Sequence, residues 1–338
     1  MIKTALPLAQ ATGRQNNLDV IRLMAAIGVV VSHAWPLALG NSAVQPLEAL
    51  TGWPLGKWSV LVFFILSGFL ITRSAMARQG RAAQFWLARA NRLVPALALA
   101  LVITVVLANL SGADASAKAL GLYILRGITL VSLEHQISGA FADNPVAFVV
   151  NGPLYTLFYE VACYGFASLL VWSLPARARV FALALCAVAA LALYGASSHI
   201  RVVVGTPLFL AFACGMLACF WQHRIALSLS GAMLAGVVLA LVFVLDVNPL
   251  LSLLPLTYLV LAAGLNTPHI ALPGDLSYGV YLYGWPVAQT LIHMGTFDDP
   301  VRLAICSVIA TLPFAALSWV AVEKRRLIRT ASRARQGA

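Results

Sequence analysis

Leu18 to Leu39 read LDVIRLMAAIGVVVSHAWPLAL, and this stretch decides the fold. Its length and apolar content suit a helix that crosses a bilayer, which takes about 20 residues at a rise of about 1.5 Å each. It nevertheless carries Arg22 near its start and His33 further along, and ionisable groups inside a membrane-length helix are costly enough to mark function by default. The two lie about 16 Å apart along the axis and differ by only about 20° in direction, so both can face one interior pathway. In the structural alternative, Arg22 is a boundary arginine whose stem lies along apolar surface, and His33 shares the outer interface with Trp35.

The rest of the chain has the same character. Of 338 residues, 61% are hydrophobic and 10% charged, and the mean hydropathy is +0.90; these values lie outside the range of a soluble domain. The expected fold class is all-α, a polytopic transmembrane helical bundle. Its candidate spans, about ten, are approximately 18–39, 56–75, 92–110, 152–173, 180–196, 202–220, 225–245, 249–265, 276–294 and 301–321. The net charge of +11 matters through its distribution. With residues 1–17 inside, the inner loops hold Arg73, Arg78, Arg81, Arg89, Arg92, Arg177, Arg179 and Arg224. The opposite side receives Glu48, Asp114, Glu134, Asp143, Asp246, Asp298 and Asp299. Both termini are therefore expected in the cytoplasm. The chain reads as one transmembrane domain over 1–338, and its basic tail, 323–338, is expected to meet anionic inner-leaflet lipid.

A cleaved signal sequence ending near Ala38-Leu39-Gly40 competes for the first span, but the polar lead-in is long and the apolar run exceeds the usual 7–15 residues. Cys163, Cys186, Cys214, Cys219 and Cys306 all fall in candidate spans without a CxxC pair, so neither a disulfide framework nor a metal site is expected. No phosphate-binding loop or nucleic-acid module is visible.

Four further segments carry chemistry. Ser67 and Gly68, in VFFILSGFL, permit close approach of helix backbones. Arg89 and Arg92 sit one turn apart where a span begins, a spacing that clamps phosphate, whether on a lipid headgroup or a phosphorylated cofactor. Thr156, Glu160 and Tyr164 share one helix face, and Glu160 is the one acidic residue well inside a candidate span, so it must face the interior. It is either a structural salt-bridge partner or a group that holds His33 or a hydroxyl. Tyr278, Tyr281 and Gln289 return to nearly one face and either line a cavity or belong to an aromatic girdle. The connection 111–151 is long enough to be a lid or binding loop; within it His135 reads as an interface residue.

LDVIR through His33, FFILSGF, RANRLVP from Arg89, PLYTLFYE ending at Glu160 and SYGVYLY from Ser277 together resemble, in order and over nearly the whole chain, the membrane acyltransferase-3 family. The resemblance implies a bacterial inner-membrane protein that moves acetyl or other acyl groups from cytoplasmic acyl-CoA to hydroxyls of a saccharide acceptor. That acceptor is a lipopolysaccharide, an exopolysaccharide or a lipid-linked glycan. It implies that Arg22 and His33 form the family's arginine-ten residues-histidine motif, with an essential histidine. Arg89 and Arg92 match the paired arginines of the donor region, and Glu160 matches the acidic position of the fourth span. This chain has Tyr155 where many relatives have tryptophan, and Tyr283-Gly284 where many have an aromatic-histidine pair, which removes a possible second histidine.

Acyl transfer from a thioester to a hydroxyl needs a proton acceptor, positioning of two reactants and stabilisation of an oxyanion. His33 has a suitable ordinary pKa, about 6.5. No serine-histidine-acid spacing demands an acyl-enzyme, so direct transfer is favoured, with a histidine-bound acyl group as the alternative. The expected site therefore comprises His33 and Glu160 for catalysis, Arg22, Arg89 and Arg92 for the acyl-CoA donor, and Tyr155, Tyr278, Tyr281 and Gln289 for the acceptor. A transporter or flippase is the competing function, because buried ionisable groups also line translocation paths.

Overall fold

All ten apolar segments form helices in the computed structural model, which describes residues 6–11, 13, 15–130, 135–295 and 297–323. In chain order the longer helices are α1 (Leu18–Leu39), α2 (Leu55–Ala77), α3 (Ala82–Leu110), α4 (Ala117–Thr129), α5 (Tyr155–Ser173), α6 (Ala176–Ala196), α7 (Ile200–Phe220), α8 (Leu229–Val244), α9 (Leu253–Leu265), α10 (Ser277–Met294) and α11 (Pro300–Ser318). The fold is an all-α polytopic bundle. Among the described residues, seven helices are long and apolar enough to cross a membrane: α1, α2, α3, α6 and α7, α5 together with the turn before it, and α11 with the turn after it. α8 and α9 are apolar but shorter. In α10 the tyrosines, Gln289 and His293 dilute the apolar content. The basic tail residues 324–338 and Glu134 lie outside the described residues.

Of the boundary differences from the sequence reading, two change the layout. The third helix begins at Ala82 instead of near residue 92, because AAQFWLARA is rich in helix formers and continues the apolar run; Arg89 and Arg92 are therefore well inside a helix, ahead of Pro95. The segment expected from 225 turns helical only at Leu229. Before it, Ala226–Leu227 pairs antiparallel with Leu6–Pro7, tying the N-terminal segment across one end of the bundle.

α2 and α7 form the densest contact. A Cβ on Gly68 would lie 2.0 Å from the Phe212 carbonyl oxygen, and one on Gly215 would lie 2.1 Å from that of Ile65, so each glycine admits the other helix's backbone. Small residues of this kind let helices associate where lipid removes the hydrophobic drive between them. α1 lies against α2, α10 and α11; their buried side chains join a large core cluster and a smaller one in which Ala34, Leu37, Trp285, Ala288 and Leu303 meet. Arg179 is buried at the start of α6 and donates to the Val171 (2.8 Å) and Leu174 (3.0 Å) carbonyls, satisfying acceptors left open at the end of α5.

The connection 111–151 contains α4, which buries Tyr123 and Gly127 against α3; a Cβ on Gly127 would meet Leu101 at 2.7 Å. Residues 135–150 then double back through a Gln136–Val149 bridge and cover one end of the bundle.

Candidate active site

A cavity of about 270 Å³ opens among α1, α2, α3, α5 and α10. One part of its wall is ionic, with Arg22 from α1, Arg89 and Arg92 from α3 and Glu160 from α5. Much of the rest is apolar, with Val60, Phe63, Phe64, Leu70 and Leu157. Helical periodicity brings these groups together. Arg89 and Arg92 are one turn apart on α3, and Thr156, Glu160 and Tyr164 all reach the cavity from one face of α5.

The charges are organised in pairs and hydroxyl contacts. Arg92 Nη2 lies 2.7 Å from Asp275 Oδ2, and Arg22 Nη1 lies 3.4 Å from Asp19 Oδ1. Arg89 donates to the Phe85 carbonyl (3.3 Å) and stacks over the Phe85 ring. Glu160 Oε1 accepts from Ser67 Oγ (3.2 Å) and from the Tyr164 hydroxyl. Asp275 lies in the connection just before α10. Burial pushes its carboxyl up, but Arg92, Arg22 and the Ser277 hydrogen bonds outweigh that and hold it below its ordinary value.

At its other end the cavity is closed by Tyr281, whose hydroxyl bonds to Thr156 and donates to the Pro153 carbonyl (2.6 Å); Phe63 meets the Tyr281 ring edge-on at 5.9 Å. His33 is not part of the lining. It lies half-buried beyond this closure, its ring 5.1 Å from that of Trp285 and close to Gly56, where a Cβ would come within 3.9 Å of the imidazole. Trp285 follows Tyr281 on α10 by one turn, and Gly56 precedes Val60 on α2 by one turn. The lining residues Tyr281 and Val60 are therefore one helical turn, a rise of about 6 Å, from the positions that meet His33.

Of the residues singled out in the sequence, Arg22, Arg89, Arg92, Glu160, Tyr278 and Tyr281 thus share one cavity, and His33 lies one turn past it. Tyr278 also donates to the Leu93 carbonyl at 3.1 Å. Tyr155 and Gln289 lie elsewhere. Tyr155 is 40% exposed and meets His135 and Tyr159 edge-on. Gln289 is fully buried; it donates to the Val146 (2.7 Å) and Val149 (2.8 Å) carbonyls and accepts from Asn144 (2.7 Å), which ties down the loop over that end. Gly284 packs on α1, where a Cβ would lie 2.3 Å from Val30 Cγ2, so α1 stands where a side chain at 284 would go.

Ser67 and Asp275 belong to the constellation but were not assigned to it from the sequence. The sequence around Ser67 signals only close helix packing, and Asp275 pairs with an arginine 183 positions away. Its only local signal is the Asp-x-Ser start of α10, where it accepts from Ser277 Oγ (2.5 Å) and the Ser277 backbone N–H (3.3 Å). Among the described residues no group of three or more His, Cys, Asp or Glu side chains could hold a metal ion.

The chain is 31% identical to nodulation protein 10 of Rhizobium leguminosarum bv. viciae, over 93% of this chain and 94% of that protein. It is 29% identical to the O-acetyl transferase of Shigella phage Sf6, over 94% of this chain and 97% of the relative. No solved structure matches. A family described as acyltransferase domain matches residues 15–320, and the chain accordingly belongs to the acyltransferase-3 family of membrane O-acyltransferases.

Proposed function

We propose that the protein transfers an acetyl or other short acyl group from acyl-CoA to a hydroxyl of an extracytoplasmic or lipid-linked saccharide, as one transmembrane domain of the bacterial inner membrane with both termini in the cytoplasm. The single observation that carries the reading is the cavity: an arginine-lined region joined to an apolar passage that ends one turn from His33. Arginine forks suit phosphate, and the apolar wall suits an acyl-pantetheine arm. In this reading Arg89 and Arg92 hold donor phosphate and Arg22 supports the passage. The basic residues of the inner loops and tail support a cytoplasmic position for that end.

His33 then takes the proton of the acceptor hydroxyl as the hydroxyl oxygen bonds to the acyl carbon. The carbon–sulfur bond breaks, and the thiolate leaves and takes up a proton. Glu160, held by Ser67 and Tyr164, balances the charge of the arginines and fixes the cavity wall. A saccharide acceptor is consistent with a relative described as an O-acetyl transferase; lipopolysaccharide, exopolysaccharide and lipid-linked glycan are the classes to test. The test uses detergent-purified protein, acetyl-CoA and a cell-envelope saccharide extract. Free thiol released only when extract is present, with acetyl recovered on saccharide, is the expected result. Movement of solute across proteoliposomes without thiol release would replace this reading with the transporter.

A further inference from the structure

Within the donor reading above, on which this inference rests, we propose that Asp275 is a built-in counter-anion of the donor site. It occupies Arg92 when no donor is bound and competes with donor phosphate for that arginine, and so sets how tightly donor and product are held.

The two oxygens of Asp275 have separate partners. Oδ1 accepts from the Ser277 hydroxyl (2.5 Å) and backbone N–H (3.3 Å), which fixes the carboxylate to the first turn of α10. Oδ2 faces Arg92 Nη2 at 2.7 Å. The Asp275 side chain is only 13% exposed, whereas that of Arg92 is 44% exposed, so the anion is enclosed and anchored while the cation stays open at the cavity wall. A fixed carboxylate beside a reachable guanidinium resembles the site's own ligand. Arg22 has a comparable partner in Asp19, more loosely at 3.4 Å. Arg89 differs from both, since it donates to the Phe85 carbonyl.

A phosphate that binds Arg92 comes within a few ångströms of this carboxylate, and like charges so close weaken binding by about five- to tenfold in a partly solvated site. The weakening applies equally to the free coenzyme formed by transfer, because it carries the same phosphates. Asp275 thereby favours product release at the expense of donor affinity.

The experiment measures coenzyme A binding to the full-length purified protein by calorimetry, and steady-state transfer alongside. Asn and Ser at position 275 both remove the charge and both retain an acceptor for the start of α10, so two independent variants guard against one failing to fold. Asp275→Asn and Asp275→Ser should bind coenzyme A about five- to tenfold more tightly than wild type, and KM for acetyl-CoA and kcat should fall together. Asp275→Glu, which keeps the charge, should stay near wild type. In an Arg92→Ala background, Asp275→Asn should bring no gain. A residue that merely supports the fold would not tighten binding when replaced. Unchanged or weaker coenzyme A binding by the folded Asn or Ser variant, with wild type binding normally, overturns the counter-anion role and leaves the donor reading intact. Failure of wild type to bind coenzyme A overturns the donor reading and this inference with it.

Discussion

The two ends of α1 and α10 differ in what their polar side chains face. At one end, Arg22, Arg92 and Glu160 line an open cavity, and Arg92 is far more exposed than its partner Asp275. At the other, Gln289 is wholly buried with three side-chain partners, Trp285 donates to the Val149 carbonyl at 2.9 Å, and the loop 135–150 lies across them. Charge at an accessible wall can exchange a protein partner for a ligand, whereas a buried amide with its bonds satisfied can only hold shape. In the proposed reading, one end of the bundle binds the donor and the other holds its shape beside His33.

That contrast is broken most severely at the closed end. Gln289→Ala deletes hydrogen bonds to two carbonyls and one amide in a buried site, and should lower stability by about 3 kcal/mol, read as thermal unfolding in detergent. Coenzyme A affinity should stay within about twofold of wild type; a large loss of donor binding would show that the two ends are not independent. Next in size, Arg89→Ala together with Arg92→Ala should weaken coenzyme A binding by about 10- to 100-fold, about 1.4–2.7 kcal/mol, with little change in the unfolding temperature. Tyr281→Phe tests the boundary between the ends. It removes the hydroxyl shared with Thr156 and Pro153 and should cost about 1 kcal/mol of stability. Acetyl transfer by that variant should persist, because the ring that closes the cavity remains. The smallest effect belongs to Tyr155→Phe, where an exposed ring with edge contacts should change stability by no more than about 0.5 kcal/mol, and acceptor KM measured on the saccharide extract reads any role in recognition.

Much of this arrangement was legible in the chain. The helices followed from apolar length, because backbone polar groups in a bilayer leave little choice but helix. The shared faces of Thr156, Glu160 and Tyr164, and of Tyr278 and Tyr281, followed from the helical period, and all five line the cavity. Periodicity gives a face but not the depth at which it meets a neighbour. Gln289 lies on the same face as Tyr278 and Tyr281, yet two turns beyond Tyr281 that face meets the loop at Asn144 and not the cavity. The Arg92–Asp275 pair was illegible for a related reason. It joins α3 to the start of α10, and nothing local in either segment encodes which helices become neighbours. The early start of α3 was hidden because Arg89 and Arg92 interrupt the hydropathy signal, although arginine is a good helix former.

The central claim is that chemistry occurs where the donor cavity approaches His33. It is tested most directly by following radiolabelled acetyl from acetyl-CoA into saccharide with wild-type protein and His33→Ala, while measuring coenzyme A binding by both. The expected result is transfer reduced by about 10²- to 10⁴-fold in His33→Ala with coenzyme A affinity unchanged. Transfer at the wild-type rate by folded His33→Ala protein would contradict it.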